Sequence, residues 1–190
     1  LFLDESGLSD NIREYSNKGN IIGICGGLQM LGTVLEDPFL KEGSKNNLEK
    51  IRGIGLLPLK TTFLAQKITR QTYSKSIWPC LSEINGFEIH NGITEVDKSQ
   101  KSLKIMPIFK DAELGWYREN ECGGTISGTY LHGIFENDEW RAQYINVIRK
   151  NKKLPIVDKR TRSYKIKRES IIDNLANEFH KHLNISSFLN

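Results

Sequence analysis

The stretch Asn20-Ile21-Ile22-Gly23-Ile24-Cys25-Gly26-Gly27-Leu28-Gln29-Met30-Leu31 decides the fold. Its first half is a short β-branched run bounded by glycines, the pattern of a strand buried on both faces in a parallel sheet. Gly26 and Gly27 make a tight turn, and Leu28, Met30, Leu31, Val34 and Leu35 follow at helical periodicity. Strand, sharp glycine turn and helix form the repeating unit of a doubly wound, mostly parallel α/β sheet. Upstream, Leu8, Ile12 and Tyr15 recur at helical spacing before Gly19, which predicts a helix over 6–18.

The same stretch carries the chemistry. Gly23-Ile24-Cys25-Gly26-Gly27 has the form G-x-C-x-G, with the cysteine on the strand-to-helix turn. A turn this sharp lifts the side chain clear of the sheet, and small neighbours leave room for a substrate. A helix N-terminus stabilises a thiolate, and the N–H of Gly26 can face an oxyanion. Cys25 is therefore the candidate nucleophile; the alternative is a buried structural thiol before an ordinary glycine turn.

A thiolate in acyl chemistry needs an acid–base partner. The chain has four histidines. His180 and His182 fall on a polar stretch of the last predicted helix. His90 ends an alternating run, and His132 ends the predicted strand at 125–132. A residue just beyond the carboxyl end of a strand sits where open α/β sheets bind ligands, which makes His132 the candidate base. Its alternative is a solvent-facing loop histidine.

The rest of the chain supplies a scaffold. Residues 39–50 read as a polar surface loop, and 54–73 as extended stretches. Residues 74–82, Ser-rich and containing Pro79, read as a mobile loop. A strand at 83–90 is expected to end at Asn91-Gly92. Strands at 116–118 and 125–132 flank a hairpin turn at 120–124. Two amphipathic helices are expected at 138–149 and 165–183, the second with an apolar stripe of Ile171, Ile172, Leu175, Phe179 and Leu183.

Composition bounds the function classes. The 190 residues are 38% hydrophobic and 26% charged, which fits a globular domain and neither a disordered chain nor a membrane bundle. No run approaches the ~20 apolar residues that span a bilayer, and no basic leader precedes an apolar segment. Cys25, Cys80 and Cys122 form no C-x-x-C pair, so neither a disulfide framework nor a metal site is expected, and a reduced cytoplasmic setting is. The net charge of +4 hides a basic segment at 149–169, where ten Lys and Arg face Asp158 and Glu169. That run reads as a solvated surface rather than a nucleic-acid site, because neither aromatic interleaving nor a recognition motif accompanies it.

Three linked motifs resemble the class I glutamine amidotransferase domains of the cobyric and cobyrinic acid synthase type. They are Gly23-Ile24-Cys25-Gly26-Gly27-Leu28-Gln29-Met30-Leu31-Gly32 with Asp37-Pro38, Gly86-Phe87-Glu88-Ile89-His90-Asn91-Gly92, and Gly128-Thr129-Tyr130-Leu131-His132-Gly133-Ile134-Phe135-Glu136-Asn137-Asp138. Gly53-Ile54-Gly55-Leu56-Leu57-Pro58 and Thr61 with Phe63 are similar to the family's linking segment. The resemblance implies a flavodoxin-like α/β fold and hydrolysis of glutamine at a Cys–His site, with Cys25 as nucleophile and His132 as the catalytic histidine. Gly26 would supply one oxyanion N–H, Gln29 would line the glutamine pocket, and His90 would support the site. Many class I enzymes carry Glu two residues after the histidine; here that position is Ile134, as in the cobyric acid synthase branch.

In that branch the ammonia passes to a synthetase domain, which uses ATP and Mg²⁺ to amidate the b, d, e and g carboxylates of adenosylcobyrinic acid a,c-diamide in cobalamin biosynthesis. The expected partners are thus glutamine and, through the synthetase domain, a corrinoid; no cofactor is expected on this segment. The family's early strands and second oxyanion loop are not found before Leu1. The chain is therefore expected to be the C-terminal part of an amidotransferase domain, open at one sheet edge and weak or inactive alone. The alternatives are the glutaminase of a sibling family, either cobyrinic acid a,c-diamide synthase or lipid II isoglutaminyl synthase, and a non-catalytic docking module.

Overall fold

The computed structural model describes residues 2–40, 49–100, 103–157 and 163–182. In chain order the helices are α1 (Phe2–Glu5), α2 (Leu8–Ser16), α3 (Gly26–Leu31), α4 (Asp138–Asn151) and α5 (Tyr164–His182). The strands are β1 (Ile21–Ile24), β2 (Val34–Glu36), β3 (Lys50–Arg52), β4 (Leu59–Ser76), β5 (Ser82–Val96), β6 (Met106–Pro107), β7 (Gly115–Glu119) and β8 (Thr125–Thr129).

These strands form two four-stranded sheets, in the orders β1-β8-β7-β6 and β3-β2-β4-β5. The expected strand–turn–helix unit is present as β1, Cys25 and α3. The alternation of β1 explains why the first sheet is covered on both faces. Ile21 packs toward a core of Leu28, Leu31, Leu57, Leu59, Trp116 and Ile126. Ile22 and Ile24 pack toward a second core that includes Ile108, Phe109, Leu131, Trp140 and Tyr144. Helix α3 thus lies on one face and α4 on the other, as in a doubly wound fold. Among the described strands, however, parallel pairing is confined to β1 with β8 and β2 with β4. The remaining neighbours are antiparallel, because short turns such as those joining β7 to β8 and β4 to β5 cannot connect parallel strands.

The β4–β5 hairpin differs most from the sequence reading. Residues 74–82 are not a mobile loop: β4 runs to Ser76, and β5 starts at Ser82 after a turn with a cis Trp78–Pro79 bond. The serines that suggested a loop point inward and are satisfied. Ser74 donates to Asp111 at 2.6 Å, and Ser76 to the Cys80 carbonyl at 2.6 Å. Nor does the strand stop at Asn91-Gly92; it continues to Val96. The pairing slips there, with 63–66 bulging opposite Gly92, whose φ of 87° suits glycine. Period-2 patterning cannot distinguish such a bulge from a strand end.

Two expectations at the chain's carboxyl end also change. Strand β8 stops at Thr129, so His132 lies three residues beyond it rather than on its last position. On α5 the predicted stripe is exposed: Ile171, Ile172, Leu175 and Phe179 are each at least 50% accessible and cover no core among the described residues. Leu183, most of the 39–50 loop and part of the 149–169 basic segment lie outside the described residues.

Strand β1 and helix α3 pack closely. A Cβ on Gly23 would lie 2.5 Å from the Gly27 carbonyl group, which is backbone and cannot give way. A Cβ on Gly27 would meet nothing within 4 Å. Gly23→Ala is therefore expected to lower stability by about 1–3 kcal/mol. Gly27→Ala is expected to be neutral or stabilising by up to about 1 kcal/mol. Urea unfolding of the two variants measures the difference.

Candidate active site

Register places the site. Ile24 of β1 pairs in parallel with Thr129 of β8, and the Cys25 N–H donates to the Thr129 carbonyl at 2.8 Å. Both strands therefore end on the same side, and Cys25 and His132 leave the sheet together there. This is the carboxyl-end crevice at which open α/β sheets bind ligands.

Cys25 has φ 55° and ψ −115°, a conformation sparsely populated by L-residues. The strain follows from turning within one residue from β1 into α3 while Gly23 holds the helix close. The turn directs the thiol into a cavity of about 900 Å³ lined by Gly26, Gln29, Met30, Ile89, His90 and Asn91, among others. Here the thiol donates to the Ile89 carbonyl at 3.2 Å. Cβ atoms on Gly26 or Gly27 would meet nothing within 4 Å, so these glycines leave space open rather than satisfy tight packing.

The other predicted residues gather on the same short piece of β5. His132 exchanges two backbone hydrogen bonds with Phe87, at 2.9 and 3.2 Å, and its ring stacks on the Phe87 ring. His90 is buried and lines the cavity beside Cys25. Among the described residues no hydrogen bond joins Cys25 to His132. Each contacts β5 instead, the thiol at Ile89 and the imidazole at Phe87, and His132 is not among the residues that line the thiol's cavity. Catalytic contacts are often loose until substrate binds. His180 and His182 lie on the exposed α5, away from this site.

Gln29 is buried, and both of its amide N–H groups are committed. Nε2 donates to the Asn91 carbonyl at 2.9 Å and to the Tyr130 hydroxyl at 3.1 Å. Only its carbonyl oxygen is left to meet a ligand. The Tyr130 hydroxyl lies 2.5 Å from Thr94 Oγ1, and its ring stacks on His90 with centroids 3.7 Å apart. Burial pushes the Tyr130 phenol above its usual range, and its hydrogen bonds with Thr94 and Gln29 only partly oppose this.

Sequence reasoning missed what stands behind His90. Glu88, 3% exposed, faces His90 Nε2 at 3.3 Å and accepts from Arg70 Nε at 2.7 Å and from Thr72 Oγ1 at 2.6 Å. Glu88 and His90 share a strand face by alternation, a signal the sequence did offer. Arg70 sits directly across in register, and that register is invisible without the hairpin. Burial by itself would raise the Glu88 carboxyl; the hydrogen bonds from Arg70, Thr72 and His90, with the charge of Arg70, outweigh it and hold the group below its ordinary value of 4.5.

A cysteine on a strained strand-to-helix elbow, with a histidine beyond the neighbouring parallel strand, is chemically suited to acyl transfer. Residues 1–140 match the CobB/CobQ-like glutamine amidotransferase domain, and the chain belongs to that family. It is 73% identical over 190 residues to the cobyric acid synthase of Prochlorococcus marinus strain MIT 9215, covering 99% of this chain and 37% of that protein. It is 72% identical to the cobyric acid synthase of strain MIT 9301, covering 100% of this chain and 38% of that protein. The cobyric acid synthase of strain NATL1A is 45% identical over 96% of this chain. The chain spans little more than a third of the length of these curated relatives. No described helix is long and apolar enough to cross a membrane.

The Glu88 network carries a pH signature. Its folded pKa is depressed, so its contribution to stability is present above the unfolded Glu range and is lost as pH falls through the lower folded value. Glu88→Gln is expected to lower stability by about 2 kcal/mol at neutral pH. The gap to the wild type should narrow as pH drops below the ordinary carboxylate range. Urea titrations at neutral and acidic pH measure both effects.

Proposed function

We propose that this chain hydrolyses glutamine at Cys25 and His132 and delivers the ammonia to a cobyric acid synthase reaction. The observation that carries the reading is Cys25 itself, held at φ 55° at the carboxyl end of β1 with its thiol facing a cavity. Strain of this kind persists where the surrounding fold enforces it, and a nucleophile raised off a sheet is its recurring use.

The Cys25 sulfur attacks the side-chain amide carbon of glutamine. The developing oxyanion is met by the N–H of Gly26, the first residue of α3. His132 holds the thiol proton and passes it to the departing nitrogen, so that ammonia leaves and a γ-glutamyl thioester remains. Water then attacks the thioester with His132 as base, which releases glutamate and restores the thiol. The Gln29 carbonyl oxygen, its N–H groups already spent on the scaffold, is suited to accept from the α-ammonium of glutamine. His90 shapes the cavity wall.

The relatives' name supports the wider reading. The acceptor is a corrinoid, amidated at its b, d, e and g carboxylates, and the ATP and Mg²⁺ that activate those carboxylates are bound outside these residues. No step of glutamine hydrolysis here runs through them. The working compartment is the cytoplasm, and neither nucleic acid nor membrane is a partner.

Cys25→Ser and His132→Ala are each expected to reduce glutamate release from glutamine by about a thousandfold or more. Coupled amidation should then persist only with added ammonium salts. Glutamine turnover that survives Cys25→Ala would show that the nucleophile lies elsewhere.

A further inference from the structure

Among the described residues no hydrogen bond or ion pair joins His132 to a carboxylate. Its Nε2 is shielded from solvent and makes no hydrogen bond. Ile134, two residues on, is 1% exposed and packs in the second core. Glu88, next to Phe87 on β5, belongs to the opposite face of that strand: successive side chains alternate, so Glu88 serves His90 while Phe87 and Ile89 share the other face.

What touches the imidazole is Phe87. The two rings lie 7° from parallel with centroids 5.0 Å apart. Their backbones are locked by the reciprocal hydrogen bonds between Phe87 and His132. The approach is so close that a Cβ on Gly86 would fall 2.3 Å from the His132 carbonyl oxygen.

We propose that Phe87 is the positioning residue of His132, fixing the imidazole plane by stacking in the role that a hydrogen-bonded carboxylate fills elsewhere. The proposal rests on the reading of Cys25 and His132 as the glutaminase pair. A flat apolar face limits rotation of the ring without occupying either nitrogen. It tolerates both the neutral and the protonated ring, and His132 passes between these twice in each turnover. Glycine at position 86 lets the phenyl ring come close enough to do this. Phe87 is not among the residues that line the cavity at the Cys25 thiol, and in this proposal it acts through His132.

The test uses the intact protein and three variants, Phe87→Ala, Phe87→Leu and Phe87→Tyr. Phe87→Ala is expected to lower kcat for glutamine hydrolysis by about tenfold to a hundredfold with KM changed less than about threefold, since misplacing a catalytic group slows chemistry without removing binding. Phe87→Leu keeps apolar bulk but not the flat face, so it should follow Phe87→Ala even if the latter folds poorly. Phe87→Tyr should restore most of the rate. Alkylation of Cys25 by iodoacetamide gives a second readout: Phe87→Leu should slow it as His132→Ala does, and adding Phe87→Leu to His132→Ala should change nothing further.

Wild-type kcat in both Phe87→Ala and Phe87→Leu overturns the proposal while leaving the Cys25–His132 reading intact. A further loss on combining Phe87→Leu with His132→Ala also overturns it, because Phe87 would then act other than through His132. Turnover that survives Cys25→Ala overturns the underlying reading instead.

Discussion

The reciprocal backbone pairing of Phe87 with His132 is the constraint on which the rest of the site depends. It joins two sheets that otherwise have separate strand orders, and it holds the long β4–β5 hairpin over the carboxyl ends of β1 and β8. Contacts of Ser76 with Phe109 and of Asn85 with Asn137 anchor the hairpin's turn end, and the Phe87–His132 pair fixes the stretch that brings Ile89 to the Cys25 thiol and His90 to the cavity wall. The contact needs a strand with no side chain at position 86, and Gly86 meets that need within the same motif that supplies Phe87, Glu88 and His90.

Behind this contact lies a polar wall built from side chains distant in sequence. Arg70 and Thr72 hold Glu88, and Glu88 faces His90. His90 stacks on Tyr130, and the Tyr130 hydroxyl takes a hydrogen bond from Gln29, one turn into α3 beyond Cys25. Burying so many polar groups gains little net stability. Each is nonetheless costly to leave unsatisfied, so the network permits few alternative arrangements of β5, β8 and α3. The two stacks are crossed: an aromatic of β5 carries the histidine after β8, and an aromatic after β8 carries the histidine of β5. The pair of strands thus orders both imidazoles at once.

The strain at Cys25 is maintained from the other side. Gly23 brings α3 against β1 at a separation no larger residue allows, and the turn between them must then be made at one residue. Local backbone energy is sacrificed where the thiol is exposed and recovered in the apolar contacts of Leu28 and Leu31 below. The glycines on the far side of the turn are empty rather than crowded, which leaves the approach to the thiol open.

By itself the sequence determined the strand-to-helix turn at Cys25, because a glycine-flanked cysteine between a β-branched run and a helical one has few other conformations open to it. It also determined the family, through motifs that each carry their own local geometry, and the alternation that puts Glu88 and His90 on one face of a strand. It misread the serines of the hairpin as a loop, since inward-facing hydroxyls and solvated ones look alike in composition. It took the bulge at Gly92 for a strand end, and the apolar stripe it assigned to the last helix finds no core among the described residues. Only the tertiary structure decided that Arg70 lies opposite Glu88, that the N–H groups of Gln29 are already used, and that His132 rests on a phenyl ring rather than a carboxylate. Those facts depend on register and on contacts between residues tens of positions apart, and such contacts exist only once the chain has closed on itself.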